Sequence, residues 1–232
     1  MNIIITGASK GLGKAIAERF AKAGSTLLVC SRNEVQLYKM AEELLTKYPQ
    51  SAVKAKPADM SIKQAVREFG IWCLESGTPD IVVNNAGQFL PGSVHNEEEG
   101  ALEKLIEANL YSAYHLTRLL LPEMMEAKSG HILNMCSVAS VKAYDNGGAY
   151  SISKFALLGF SKNLREEMKP YNIKVTAVIP GAAYTDSWSS SGIDPKRFME
   201  ATDVAEMIYA ASQLSVQACV EEILLRPQLG DI

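Results

Sequence analysis

Short apolar runs recur along the chain, mostly hydrophobic on both faces, with longer segments of helical period between them. NIIIT (2–6), TLLVC (26–30), DIVVN (80–84), HILNM (131–135), KVTAVI (174–179) and EEILLR (221–226) read as buried parallel strands. A weaker seventh run, SAVKAKPAD (51–59), is interrupted by Pro57. After the first run, GLGKAIAERFAKAG repeats Leu12, Ile16 and Phe20 every four residues and meets Gly24, which predicts a helix with a glycine stop. Residues 101–127 and 148–168 also carry a helical period, and Pro122 is expected to kink or end the first of them. Strands regularly separated by helices imply βαβ units and a mostly parallel sheet with helices on both faces. No repeat or low-complexity linker interrupts the pattern, and TDSWSSSGIDPKR (185–197) is the one expected mobile loop.

With 232 residues, 47% of them hydrophobic, the chain can bury a sizeable core, and one domain over 1–232 is expected. A net charge of −3 without a basic stripe argues against nucleic-acid and membrane partners and favours a small molecule. Cys30, Cys73, Cys136 and Cys219 lie far apart and form no Cys-x-x-Cys pair, so neither a metal site nor a disulfide framework is expected, only reduced, buried thiols. The opening MNIIITGASK lacks the features of a signal peptide, and no run approaches the roughly 20 apolar residues of a membrane span. A cytoplasmic location is the expectation.

TGASKGLG follows the first strand and opens the first helix, the setting in which a glycine pattern carries information. Gly7, Gly11 and Gly13 let the backbone turn tightly and approach a pyrophosphate, whose charge a helix N-terminus stabilises. The spacing Gly-x-x-x-Gly-x-Gly names no cofactor by itself, and glycines at such a turn can also be turn chemistry alone. The end of the second strand is more selective. An NAD site usually has an acidic residue there, about 20 residues past the glycines, for the ribose 2′-hydroxyl. Here stand Cys30, Ser31 and Arg32, and a guanidinium suits a 2′-phosphate. Lys10 adds a second cation. Singly each is ordinarily a solvated charge; together, unopposed by an acid, they predict NADP(H).

YSISK (150–154) sets Tyr150 and Lys154 at i and i+4 on one helical face. A free tyrosine has a pKa of roughly 10, and a neighbouring ammonium should lower it toward a usable general acid. Ser137, just past the fifth strand, lies where open α/β sheets place ligands and can hydrogen-bond a substrate oxygen. Alone, each of these would ordinarily be a surface neighbour or a cap; behind a nucleotide loop they form a candidate site.

TGASKGLG, NNAG (84–87), NMCSVAS (134–140), YSISK and PGAAYT (180–185), in this order and spacing, resemble the classical short-chain dehydrogenases/reductases over essentially the whole chain. The resemblance implies a single Rossmann-like domain with a doubly wound sheet of about seven parallel strands. It also implies a homodimer or homotetramer built through two long central helices. It implies Ser137, Tyr150 and Lys154 as catalytic, Lys154 also on the nicotinamide ribose, and Asn109 in a water-linked proton relay. The implied cofactor contacts add Ser9 and Leu12 in the glycine loop, Asp59 at the adenine with Met60 beside it, and Asn85, Ala86 and Gly87. Pro180, Gly181, Ala183 and Thr185 complete the set, although Asn84 and Pro180 also read as structural. Ala183 departs from the Val or Ile common in the family, which weakens one apolar contact at the nicotinamide.

The family's substrate loops correspond to residues 88–96, 138–148 and 182–202, with Gln88, Phe89, Tyr144, Tyr184 and Trp188 as implied substrate contacts. Their aromatics could flank a flat substrate or serve as lid packing. CVEEILLRPQLGDI and PGAAYTDSW are similar to bacterial sepiapterin-reductase-like members, which implies NADPH-dependent reduction of a small ketone or aldehyde, sepiapterin-like or a diketone. A 3-oxoacyl-(acyl carrier protein) reductase is the enzyme alternative, weakened because MEAKSG and KPYN offer one lysine each for an acidic carrier. A non-catalytic NADPH-binding regulator is the alternative of another class.

Overall fold

The computed structural model describes residues 1–185 and 192–232. Its strands are β1 (Asn2–Thr6), β2 (Thr26–Cys30), β3 (Ala52–Ala55), β4 (Ile81–Asn84), β5 (Gly130–Met135), β6 (Ile173–Pro180) and β7 (Glu222–Leu225). They form one seven-stranded sheet in the order β3-β2-β1-β4-β5-β6-β7, parallel throughout. The helices are α1 (Gly11–Lys22), α2 (Glu34–Lys47), α3 (Lys63–Leu74), α4 (Ala101–Ile106), α5 (Ser112–Ala127), α6 (Gly148–Met168) and α7 (Ala201–Ser212). This is the doubly wound, Rossmann-like arrangement. The strand order reverses between β1 and β4, and the crevice outside the carboxyl ends of those strands is where such sheets bind ligands.

Strand alternation sends Ile3 and Ile5 to one face of the sheet and Ile4 to the other, and all three are fully buried. On the first face α1, α2 and α7 contribute Ile16, Phe20, Leu37, Leu44, Val204 and Ile208. On the second, α3, α5 and α6 contribute Phe69, Leu116, Leu120 and Leu164. Burial on both sides is why these strands are continuous apolar runs. β3, at the sheet edge, alternates exposed and half-buried residues and is correspondingly weak in sequence. It ends before Pro57, and the bonds to β2 and its end continue from Lys56 N to Val29 O at 3.0 Å and, past the proline, from Ala58 N to Ser31 O at 3.1 Å.

Of the kink or end expected at Pro122, the end does not occur. α5 passes through Pro122 and stops at Ala127, where Lys128 turns left-handed at φ 48°. Leu116, Leu120 and Met124 straddle the proline and are all 0% exposed, so burial against the sheet overrides the local penalty. The regular α pattern is instead interrupted by a π turn, Glu107–Tyr111. Gly24 does follow the end of α1, at φ +76°. Cys30, Cys73 and Cys136 are buried thiols, whereas Cys219 is half-buried and donates to the Val175 carbonyl. Among the described residues no helix is long and apolar enough to cross a membrane.

Candidate active site

A cleft of about 810 Å³ opens along the carboxyl ends of the strands. The glycine loop lines one end with Gly7, Ser9, Lys10, Gly11, Leu12 and Gly13. Gly7 and Gly11 have φ of +65° and +55°, and a Cβ on Gly13 would fall 2.2 Å from the Gly7 carbonyl oxygen. Only glycines allow this turn. Among the described residues no side chain caps α1, and its first turn carries no acid, so its amides suit a pyrophosphate. Thr6 Oγ1 accepts from the amides of Asn85 (3.0 Å) and Ala86 (2.9 Å). Asn85 Nδ2 in turn donates to the carbonyls of Thr6 (2.8 Å) and Gly7 (3.0 Å). These bonds tie the segment after β4 to the glycine turn, which brings Asn85, Ala86 and Gly87 to the cleft.

Beyond β2, Ser31 and Arg32 line the cleft together with Asn33 and Gln36. Asn33 caps α2 by accepting from the Gln36 amide at 2.9 Å. No carboxylate occupies positions 31–33, so the residues fit a 2′-phosphate rather than a 2′-hydroxyl. Asp59 and Met60 also reach the cleft, with Asp59 Oδ1 engaged by Ser61 N (3.0 Å) and Ser61 Oγ (2.8 Å).

Ser137, Tyr150 and Lys154 meet at the opposite end. Ser137 caps a 3-10 turn, Val138–Ser140, and its Oγ accepts from Ala139 N at 3.1 Å while hydrogen-bonding the Tyr150 phenol. Lys154 is 7% exposed, and its Nζ lies 5.9 Å from the centre of the Tyr150 ring. That ammonium donates to the Met135 carbonyl at 2.8 Å. The electrostatics correct one expectation. Burial pushes the Tyr150 phenol above its usual range, with the Ser137 hydrogen bond opposing it, and no lowering by Lys154 prevails. Burial also pushes the Lys154 ammonium down to about 8. Burial thus disfavours the charged form of both groups.

Asn109, in the π turn, is 1% exposed and does not line the cleft. Its side chain accepts from Gln88 N (2.7 Å) and donates to Gln88 O (3.0 Å) and Ser153 Oγ (2.9 Å). Ser153 Oγ donates to the Tyr150 carbonyl at 2.7 Å. Asn109 therefore holds both the loop after β4 and the helix of Tyr150. Gly87 leaves room for it, since a Cβ there would lie 2.9 Å from Asn109 Oδ1 and 3.7 Å from Lys154 Nζ.

Gln88, Phe89 and Tyr144 line the same cleft, and Phe89 meets Tyr150 edge-on at 4.8 Å and 87°. Pro180, Gly181, Ala183 and Thr185 also line the cleft, Thr185 beside Gly11 of the glycine loop. Tyr184 does not join them; it packs edge-on against Phe198 at 5.6 Å, because Tyr184 N bonds Met199 O and turns the side chain away. Trp188, like residues 186–191 of the expected mobile loop, lies outside the described residues. Sequence reasoning missed Lys142 and Asp231, which bring opposite charges to the cleft, the latter paired with Arg226 at 2.6 Å. Asp231 lies in the C-terminal segment and Lys142 in the loop after β5, and no spacing within either segment marks a charge that reaches the cleft.

A protein-family model described as short chain dehydrogenase matches residues 1–196. An uncharacterized oxidoreductase of Staphylococcus epidermidis is 29% identical over 226 residues, spanning 97% of this chain and 96% of that protein. A metagenomic short-chain oxidoreductase solved in complex with NADP superposes with a TM-score of 0.85 at 29% identity, covering 98% of this chain and 97% of that one. An alcohol dehydrogenase from the archaeon Thermococcus sibiricus, complexed with 5-hydroxy-NADP, gives 0.90 at 28% identity, with 98% and 96% covered.

Proposed function

We propose that this chain, which belongs to the short chain dehydrogenase family, is an NADPH-dependent carbonyl reductase that acts on a small ketone or aldehyde and runs the reverse alcohol oxidation with NADP. The observation that carries the reading is the meeting of Ser137, Tyr150 and Lys154 in the cleft that also contains the glycine loop and Arg32. NADP complexes of two relatives support the choice of cofactor.

In this reading the amides opening α1 hold the pyrophosphate, Ser31, Arg32 and Lys10 hold the 2′-phosphate, and Lys154 holds the nicotinamide ribose. Bound there, NADPH supplies the hydride. Tyr150 gives its phenolic proton to the carbonyl oxygen as negative charge develops on it. Its raised pKa keeps that proton in place at neutral pH, which suits an acid more than a base. Ser137 Oγ already accepts from Ala139, so its own proton can point at the phenol or at the substrate oxygen. Lys154, held by the Met135 carbonyl 5.9 Å from the centre of the Tyr150 ring, keeps a positive charge beside it at neutral pH. Asn109 aligns Gln88 with α6.

Phe89 and Tyr144 at the substrate end favour a flat or compact ketone, sepiapterin-like or a diketone. We further take residues 1–232 as one NAD(P)-binding domain that assembles as a homodimer or homotetramer. Tyr111, Ile152 and Phe155, which are 47%, 44% and 45% exposed beside and along α6, support that assembly. The test is NADPH oxidation with sepiapterin, a diketone and an acetoacetyl thioester in parallel, each repeated with Tyr150→Phe. Selective, tyrosine-dependent turnover of sepiapterin or the diketone is expected. Preference for the thioester would replace the reading with acyl-carrier reduction, and tight NADPH binding with no turnover of any of them would favour a regulator.

A further inference from the structure

Helix α6 begins without a cap of its own, since its N-cap is Gly147 and its first residue Gly148. The second glycine is required by packing: a Cβ on Gly148, whose φ is +29°, would lie 2.4 Å from the Gly92 carbonyl oxygen and 2.6 Å from Glu97 Oε2. The loop after β4 and the loop before α6 therefore meet backbone to backbone. Three hydrogen bonds join them. Gly92 N donates to Asn146 O at 3.0 Å, Ser93 Oγ to Asn146 Oδ1 at 2.9 Å, and Ala149 N to Glu97 Oε2 at 3.0 Å. The last brings a carboxylate from 52 residues away onto the first turn of the helix. There an unpaired amide and the helix dipole both favour negative charge, and Glu97 supplies the cap that the glycines cannot. At the other end of the same loop, Asn109 holds Gln88 and Ser153. Phe89, against the Tyr150 ring, lies between the two attachments.

We infer that Glu97 is a positioning residue: by capping α6 from the β4–α4 loop, it holds the Tyr150 ring and the Phe89 wall in one fixed relation. The inference rests on the reading of Tyr150 as the proton donor. The experiment compares Glu97→Ala, Glu97→Gln and Glu97→Asp with the wild type and with Tyr150→Phe. It measures kcat and KM for the preferred carbonyl substrate, NADPH affinity by fluorescence titration, and amide hydrogen exchange at the start of α6. Glu97→Ala should lower kcat/KM about tenfold, largely in kcat, with faster exchange at residues 148–151. NADPH affinity should stay within about twofold, because the glycine loop and Arg32 are remote from the clamp. The glutamine side chain can still accept from Ala149 and should restore most of kcat, whereas the shorter aspartate should not. Should Glu97→Ala fold poorly, the glutamine and aspartate pair carries the comparison. Wild-type kcat and KM in Glu97→Ala and Glu97→Asp, with Tyr150→Phe inactive, would overturn the role of Glu97 alone. Full activity in Tyr150→Phe would overturn the reading beneath it.

Discussion

Replacing His131 with glutamine removes a proton site from the middle of the sheet, and the stability of the protein in mild acid should change in proportion. His131 lies on β5 and is 4% exposed. Its Nε2 is 2.7 Å from Thr176 Oγ1 on β6, and the threonine hydroxyl donates its own proton to the Val220 carbonyl. The threonine oxygen therefore accepts, the imidazole carries its hydrogen on Nε2, and Nδ1 is buried with no partner among the described residues. A second proton would have to sit on Nδ1, where nothing receives it. Burial, reinforced by the Lys174 ammonium, pushes the imidazole from 6.5 down to about 4. Between these values the unfolded chain binds a proton that the folded chain does not. Stability that is fully present above pH 6.5 is thus lost as the pH falls, and the loss is complete below pH 4. At 1.36 kcal/mol per pKa unit the full loss is about 3 kcal/mol, of which about 2 kcal/mol accrues between pH 7.5 and pH 5. Urea unfolding of the wild type and His131→Gln at those two pH values reads the difference directly. The wild type should lose about 2 kcal/mol more than the variant. Equal losses would refute the reasoning, because they would mean that His131 accepts its proton without unfolding.

Arg32→Asp should shift the NADPH-to-NADH ratio of kcat/KM toward NADH by about a hundredfold, since a charge-assisted bond is lost and a repulsion added; an unchanged ratio would count against Arg32 as the phosphate reader. Reductive kcat/KM should fall as the pH rises through about 8, where buried Lys154 gives up its charge, while the Tyr150 phenol stays protonated. A reductive profile flat to pH 10 would contradict that assignment. Gly87→Ala should depress kcat and cost about 1–3 kcal/mol of stability as the new methyl displaces the Asn109 amide; activity and thermal midpoint together at wild-type values would show that the gap is not needed.

The parts of the fold legible in the sequence are those whose burial is symmetric. Ile3, Ile4 and Ile5 advertise a strand because the sheet covers both of their faces. The π turn at Glu107–Tyr111 left no such trace, since the apolar spacing on either side remains helical. The helix end expected at Pro122 was over-read for a related reason: local backbone preference is visible in a string of residues, but the buried row of Leu116, Leu120 and Met124 that outweighs it is a tertiary fact. In the site, the residues at strand ends were legible because position along a parallel strand also fixes position in space. The pKa of Tyr150 was not. An i, i+4 lysine suggests a lowered phenol, but that rule assumes a solvated pair, and here both groups are buried with the ammonium committed to Met135.

Placing Lys154 in the core also requires that α6 not rotate, since a small turn about its axis would carry the ammonium away from its carbonyl. Apolar packing alone resists such rotation weakly, because side chains of similar shape can slide past one another. Directional bonds resist it better. Asn84 and Asn134 stand in register on β4 and β5. Asn84 Nδ2 donates to Thr117 Oγ1 on α5 (3.1 Å) and to Asn134 Oδ1 (2.8 Å), and Asn134 Nδ2 donates to Ser161 Oγ on α6 (2.8 Å). A hydrogen-bonded path therefore runs from one long helix, across the sheet, to the other. Ser161 lies C-terminal to Lys154 on the same helix, and Ser153, on the preceding residue, is held by Asn109. With angular fixation on both sides, and Glu97 on the first turn, the direction in which Tyr150 and Lys154 face is set by polar bonds that the hydrophobic pattern of the helix does not encode.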